Sequence, residues 1–137
     1  MTAGTERHTV ELADGRTLAA LVAGPASGRT LLFHTGTPSG LADAAPLFDI
    51  AAAHGFRCVM YARPGYGSSS PRHGRLVADA ADDVASVLDV VGADRFVTAG
   101  WSGGGPHAMA TAALLGDRCA AAASIAGVAP YEATGLD

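Results

Sequence analysis

Residues 95–115 read RFVTAGWSGGGPHAMATAALL. An apolar, strand-like run stops at Gly100-Trp101-Ser102-Gly103-Gly104, and a helical pattern starts at once. A strand that turns straight into a helix has one tight corner, and a residue on that corner is thrust clear of the sheet. The pattern Gly100-x-Ser102-x-Gly104 puts a serine there, with glycines two before and two after, where close approach leaves no room for side chains. The N–H of Gly103 and the positive end of the following helix face the same point. Ser102 is therefore a candidate nucleophile, with Gly100, Trp101 and Gly104 building the corner. The same stretch also fits a looser dinucleotide fingerprint, Gly103-x-Gly105-x-x-Ala108. Pro106 interrupts that pattern, it follows the fifth strand-like run instead of opening the fold, and Glu132 lies beyond the spacing expected of a ribose-binding acid.

Outward from this corner the chain alternates. ERHTVELADGRTLAALVAG folds back about Asp14-Gly15, a hairpin signal. RTLLFH (29–34) is a short buried-type strand, followed by the loop TGTPSG and a helical stretch around APLFDIAAAHG that Gly55 is placed to end. FRCVMYA (56–62) is another buried strand and RPGYGSSSPRHG a turn-rich loop. Val77, Ala80, Val84, Val87, Leu88 and Val91 share one face at helical spacing, with Asp79, Asp82 and Asp83 read as its solvated side. RCAAAASIAGV closes the series as a sixth strand. The order β-β-β-α-β-α-β-α-β predicts one α/β domain over residues 1–137, a mostly parallel sheet with helices on both faces.

Three loops, in order, resemble those of the α/β-hydrolases: FHTGTPSG (33–40), similar to that family's His-Gly-x-Pro loop after the third strand; YARPGYGSS (61–69), similar to its Asp-x-Pro-Gly-x-Gly-x-Ser loop after the fourth; and GWSGGGPHA (100–108), similar to its nucleophile elbow after the fifth. The resemblance implies Ser102 as nucleophile and the backbone N–H groups of Thr37 and Gly103 as the oxyanion hole. Two positions depart from it. Thr35 stands where a histidine often precedes the loop glycine, with His34 one residue earlier, and Ala62 replaces a common aspartate. The Arg63-Pro64-Gly65-Tyr66-Gly67 segment reads as a structural turn from its Pro/Gly chemistry. His34 and Tyr66 are the residues set nearest a pocket.

A serine nucleophile needs a histidine to take its proton and an acid to orient that histidine. In the resembled family both follow the serine. After Ser102 come Asp117, Glu132, Asp137 and a single histidine, His107. Five helical steps put His107 about 140° round the helix from Ser102, away from its hydroxyl. His34 is expected to support a loop, and His8, His54 and His73 to lie at the surface. The family's usual acid and histidine follow a seventh and an eighth strand, so the resemblance implies the N-terminal part of a hydrolase domain, truncated after about the sixth strand. A free sheet edge then invites self-association.

Composition narrows the function classes. All nine basic residues are arginines, scattered through a chain of net charge −4, with no basic stripe for nucleic acid. Lysine, asparagine and glutamine are absent, so oxyanion donors are expected from the backbone. No histidine pair has metal-ligand spacing and no cofactor is implied. No apolar run is long enough for a membrane span, and Cys58 and Cys119 read as buried small hydrophobes of a cytoplasmic protein. The expected activity is hydrolysis of an ester or other small acyl compound through Ser102, with the triad acid and histidine missing. The alternative is a non-catalytic fragment or interaction protein that keeps the same half of the fold.

Overall fold

The computed structural model describes residues 4–42, 44–132 and 134. Its six strands are β1 (Glu6–Glu11), β2 (Thr17–Ala23), β3 (Arg29–His34), β4 (Phe56–Tyr61), β5 (Phe96–Trp101) and β6 (Cys119–Ile125). Three helices connect them: α1 (Ala45–Ala53), α2 (Ala80–Val91) and α3 (Gly105–Leu114). Short 3₁₀ turns, Val77–Asp79 and Ser102–Gly104, precede α2 and α3. The sheet order is β1-β2-β4-β3-β5-β6. The first two pairings are antiparallel and the remaining three parallel.

Alternation along the strands divides the interior in two, because successive side chains point to opposite faces of a sheet. Leu18, Ala20, Val22, Leu32, Val59, Tyr61 and Phe96 meet Val84, Val87, Leu88 and Val91 of α2 on one face. Leu21, Ala23, Cys58 and Met60 meet Phe48 and Ala51 of α1 on the other. Helix α3 packs beside α2 and against β5 and β6. Gly92 ends α2 in the left-handed conformation, φ 72°, which needs no Cβ at that turn.

Three expectations need correction. Asp83 is not on a solvated face: it is 2% exposed and takes a 3.1 Å ion pair from Arg16, a partner 67 residues earlier. Val77 falls in the 3₁₀ turn, where its side chain is exposed instead of joining the α2 stripe. Cys119 is only partly buried, while Cys58 is fully enclosed.

Strand order places the site. From β3 the chain crosses through α1 to β4 on one side, and from β4 it crosses through α2 to β5 on the other side of β3. The connections leaving β3 and β5 therefore diverge, which opens a crevice beyond the carboxyl ends of these neighbouring strands. His34 pairs with Gly100 at that end of the sheet. The loop 35–40 and the serine corner are the two lips of this crevice.

Candidate active site

Ser102 sits at φ 52°, in the left-handed region, as the first residue of the 3₁₀ turn that joins β5 to α3. An L-residue held there costs about 1–2 kcal/mol, so the surroundings must enforce it. They do so by close approach. A Cβ on Gly100 would run into the Gly104 carbonyl, and one on Gly104 into the carbonyls of His34 and Thr35. The corner is thus clamped onto the carboxyl end of β3, and Ser102 is left half-buried with its neighbour Trp101 exposed. A Cβ on Gly36 would lie 3.5 Å from the Ser102 Cβ and 3.2 Å from the Trp101 ring, so the loop after β3 rests against the serine.

Thr37 reaches over Gly103. A Cβ added to Gly103 would lie 2.5 Å from the Thr37 hydroxyl and 3.3 Å from the Thr37 backbone N. The two residues expected to supply oxyanion N–H groups are therefore neighbours across the crevice. Beside them a cavity of about 310 Å³ is walled mainly by the apolar Phe33, Leu47, Ile50, Met60 and Trp101, with Thr35 and Ser39 of the loop as its polar members.

The loop is held from below by a residue that reads in the sequence only as part of a turn. Arg63 is 3% exposed. Its Nη1 donates to the Thr35 carbonyl at 2.6 Å, and its Nη2 to the Gly36 carbonyl and the Thr37 hydroxyl, each at 3.2 Å. Tyr66 lies over the guanidinium, 5.3 Å from ring centroid to Cζ, rather than beside the cavity. Among the described residues Arg63 has no carboxylate partner, so carbonyl dipoles and an aromatic face offset its burial. The signal available in the sequence was an arginine set between a buried strand and Pro64-Gly65.

Both nearby histidines are committed elsewhere. The Nδ1–H of His107 donates to the Gly103 carbonyl at 2.8 Å, leaving Nε2 to accept from Arg75 at 3.5 Å. Burial, with Arg63 and Arg75 nearby, holds its pKa below the ordinary histidine value. His34 is 1% exposed, hydrogen-bonded through Nε2 to Thr111 Oγ1 at 3.2 Å, and stacked near His107 with centroids 6.1 Å apart. Burial first, then the His107 and Arg63 charges, push it down to about 3. His34 supports α3 through Thr111, not the loop, and lines no part of the 310 Å³ cavity. No described histidine hydrogen-bonds to the Ser102 hydroxyl. Asp117 and Glu132 lie at the surface, and Asp137 lies outside the described residues. Among the described residues no helix is long and apolar enough to cross a membrane.

Comparison with known proteins bears on the fold. The α/beta hydrolase fold family model matches residues 29–136. No curated protein matches the sequence. Among solved structures the chain is similar to a predicted CIB-like hydrolase from Thermoplasma acidophilum, at TM-score 0.79 and 20% identity, covering 90% of this chain and 63% of that one. It is similar to Epoxide Hydrolase A from Mycobacterium thermoresistibile at TM-score 0.78 and 23% identity, covering 88% of this chain and 38% of that one. A protein with a provisional aryl esterase assignment from Burkholderia cenocepacia aligns at TM-score 0.74 and 27% identity, over 90% of this chain and 47% of that one. The chain thus spans between about two fifths and two thirds of the length of these relatives. With a serine corner between β5 and α3, a loop after β3 lying over it and a family model matched across both, the chain belongs to the α/β-hydrolase fold family.

Proposed function

We propose that this chain carries the nucleophile and oxyanion hole of a serine hydrolase acting on an ester or related acyl compound. The observation that carries the reading is Ser102 at φ 52° with the Thr37 N–H region lying over Gly103. In the reaction Ser102 Oγ attacks the acyl carbonyl as a base removes its proton. Negative charge collects on the carbonyl oxygen, where the N–H groups of Thr37 and Gly103 receive it. The leaving alcohol departs to give an acyl-serine, and water releases the acid. The apolar cavity beside Gly36 and Trp101 suits an apolar acyl or alkyl group. The provisional aryl esterase points to the same class.

The base and its acid are missing from this reading of the chain. His107 has its Nδ1 bound to Gly103 and its Nε2 facing Arg75, and His34 is sealed between Thr111 and Tyr61. Domain extent follows: residues 1–137 make the N-terminal part of the hydrolase domain. The test is incubation with p-nitrophenyl butyrate, with and without free imidazole as a replacement base, followed by mass analysis of peptides. A butyryl group on Ser102 that forms slowly, faster with imidazole, and never in Ser102→Ala is the expected result. Rapid acylation without imidazole that is lost in His107→Ala or His34→Ala would overturn the missing base. No acyl adduct on the folded chain under either condition would overturn the nucleophile.

A second reading, of a non-catalytic interaction protein, is favoured by β6. Residues 120–125 of this edge strand are exposed, uncharged and free of proline, and Ile125, Val128 and Tyr131 extend the apolar surface. Edge strands usually carry charge, bulges or proline against pairing. The reading commits to a second copy of this chain, paired β6 to β6, and a monomeric sedimentation profile with a cooperative melt would count against it.

A further inference from the structure

We infer that the side-chain hydroxyl of Thr37 is a third oxyanion donor, aimed by Arg63. The inference rests on the proposed nucleophile and deepens it. Three observations carry it. First, the Thr37 hydroxyl is the atom nearest to where a Gly103 Cβ would be, at 2.5 Å, nearer than the Thr37 N–H itself. Second, Arg63 Nη2 donates to that hydroxyl oxygen at 3.2 Å. A threonine hydroxyl has one hydrogen to give and two lone pairs to accept with. With the guanidinium donating to this oxygen, the O–H is left to turn away from Arg63, and among the described residues no acceptor takes it. Third, Thr37 is exposed while Arg63 is buried beneath it, so the cation is fixed and Thr37 stays open to an incoming molecule.

The arrangement also explains a glycine that the corner does not need. The elbow requires small residues two before and two after the serine, and leaves the residue directly after it free. Gly103 is small because any Cβ there would fill the space beside the Thr37 hydroxyl. The absence of asparagine and glutamine from the chain left backbone groups as the expected donors; a threonine hydroxyl escapes that elimination. Accepting from a cation polarises the hydroxyl and makes it a stronger donor. Arg63 touches no reacting atom and acts as a positioning residue: it holds the Thr35 and Gly36 carbonyls and the Thr37 oxygen in one fork. No proton is transferred from Thr37; it stabilises charge on the oxygen being attacked.

The experiment measures the rate at which a fluorophosphonate labels Ser102 in the presence of imidazole, for the wild-type chain, Thr37→Ser and Thr37→Val. Valine keeps the shape and the backbone N–H and removes only the hydroxyl. The expected result is a rate within about threefold of wild type for serine and about 100-fold lower for valine, the loss typical of one oxyanion donor, with melting temperatures unchanged. Arg63→Met is expected to slow labelling of the chain that has Thr37 and to slow the Thr37→Val chain far less, a coupling that a merely structural arginine would not show. Equal rates for valine and wild type, or a serine variant as slow as valine, would overturn the hydroxyl's role while leaving the nucleophile intact. A wild-type chain that is not labelled at Ser102 would overturn both.

Discussion

Acid should unfold this protein through His34. The ring is sealed between β3, Tyr61 and Thr111, and its pKa falls from 6.5 to about 3, chiefly by burial and then by the charges of His107 and Arg63. The native state therefore refuses a proton that the unfolded chain accepts. Stability from this group is fully present above pH 6.5 and is lost as pH falls toward 3. Each pH unit in that window costs about 1.4 kcal/mol per proton, so the whole window costs about 5 kcal/mol, comparable to the entire stability of a small domain. His107 shifts in the same direction. Asp83 shifts the other way: burial raises its carboxyl despite the Arg16 pair, so in the native state it takes up a proton earlier and offsets part of the loss. Urea unfolding followed by far-UV circular dichroism at pH 7, 6, 5 and 4 measures the slope. His34→Gln, which keeps an amide to meet Thr111, should flatten the slope by one proton between pH 6 and 4. Parallel curves for the two proteins, or a His34 ring that titrates near 6.5 by NMR, would show that burial of this ring does not set the acid sensitivity.

Ser102→Gly should be more stable than Ser102→Ala by about 1 kcal/mol, because glycine alone relieves the positive φ; thermal melts of the pair decide it. Gly104→Ala should cost about 3 kcal/mol or prevent folding, since its Cβ would overlap the His34 and Thr35 carbonyls, and a melt matching wild type would contradict the clamp. Arg63→Met should cost about 2 kcal/mol by stranding the buried Thr35 carbonyl, while the Gly36 carbonyl keeps the Ser39 N–H at 3.1 Å, read as a shift in the urea midpoint. If β6 is the surface for a second copy, Ala122→Lys should shift sedimentation toward monomer while leaving the circular dichroism unchanged.

Local periodicity made the sheet legible. RTLLFH is β3 to the residue, and the hairpin about Asp14-Gly15 joins β1 to β2. The serine corner was legible because Gly100-x-Ser102-x-Gly104 is one contiguous pattern set where a strand-like run meets a helical one. What stayed hidden depends on partners distant in sequence. Asp83 looks like any charge on an amphipathic helix until Arg16, on the hairpin, comes to meet it. Arg63 looks like a turn residue until the loop 26–28 residues earlier is seen lying in its fork. Ideal α-helical spacing turns His107 away from the serine, yet the step from Ser102 to Gly104 is a 3₁₀ turn, to which that spacing does not apply. What fixes His107 is its bond to the Gly103 carbonyl, a local contact that spacing alone does not announce.

The most direct measurement is the site of fluorophosphonate attachment, found by mass spectrometry of peptides from the folded chain treated with imidazole. A single adduct on Ser102, absent in Ser102→Ala and slower without imidazole, is the predicted result. An adduct on another residue, or none on a chain whose circular dichroism shows it folded, would contradict the claim that this strained serine is a nucleophile.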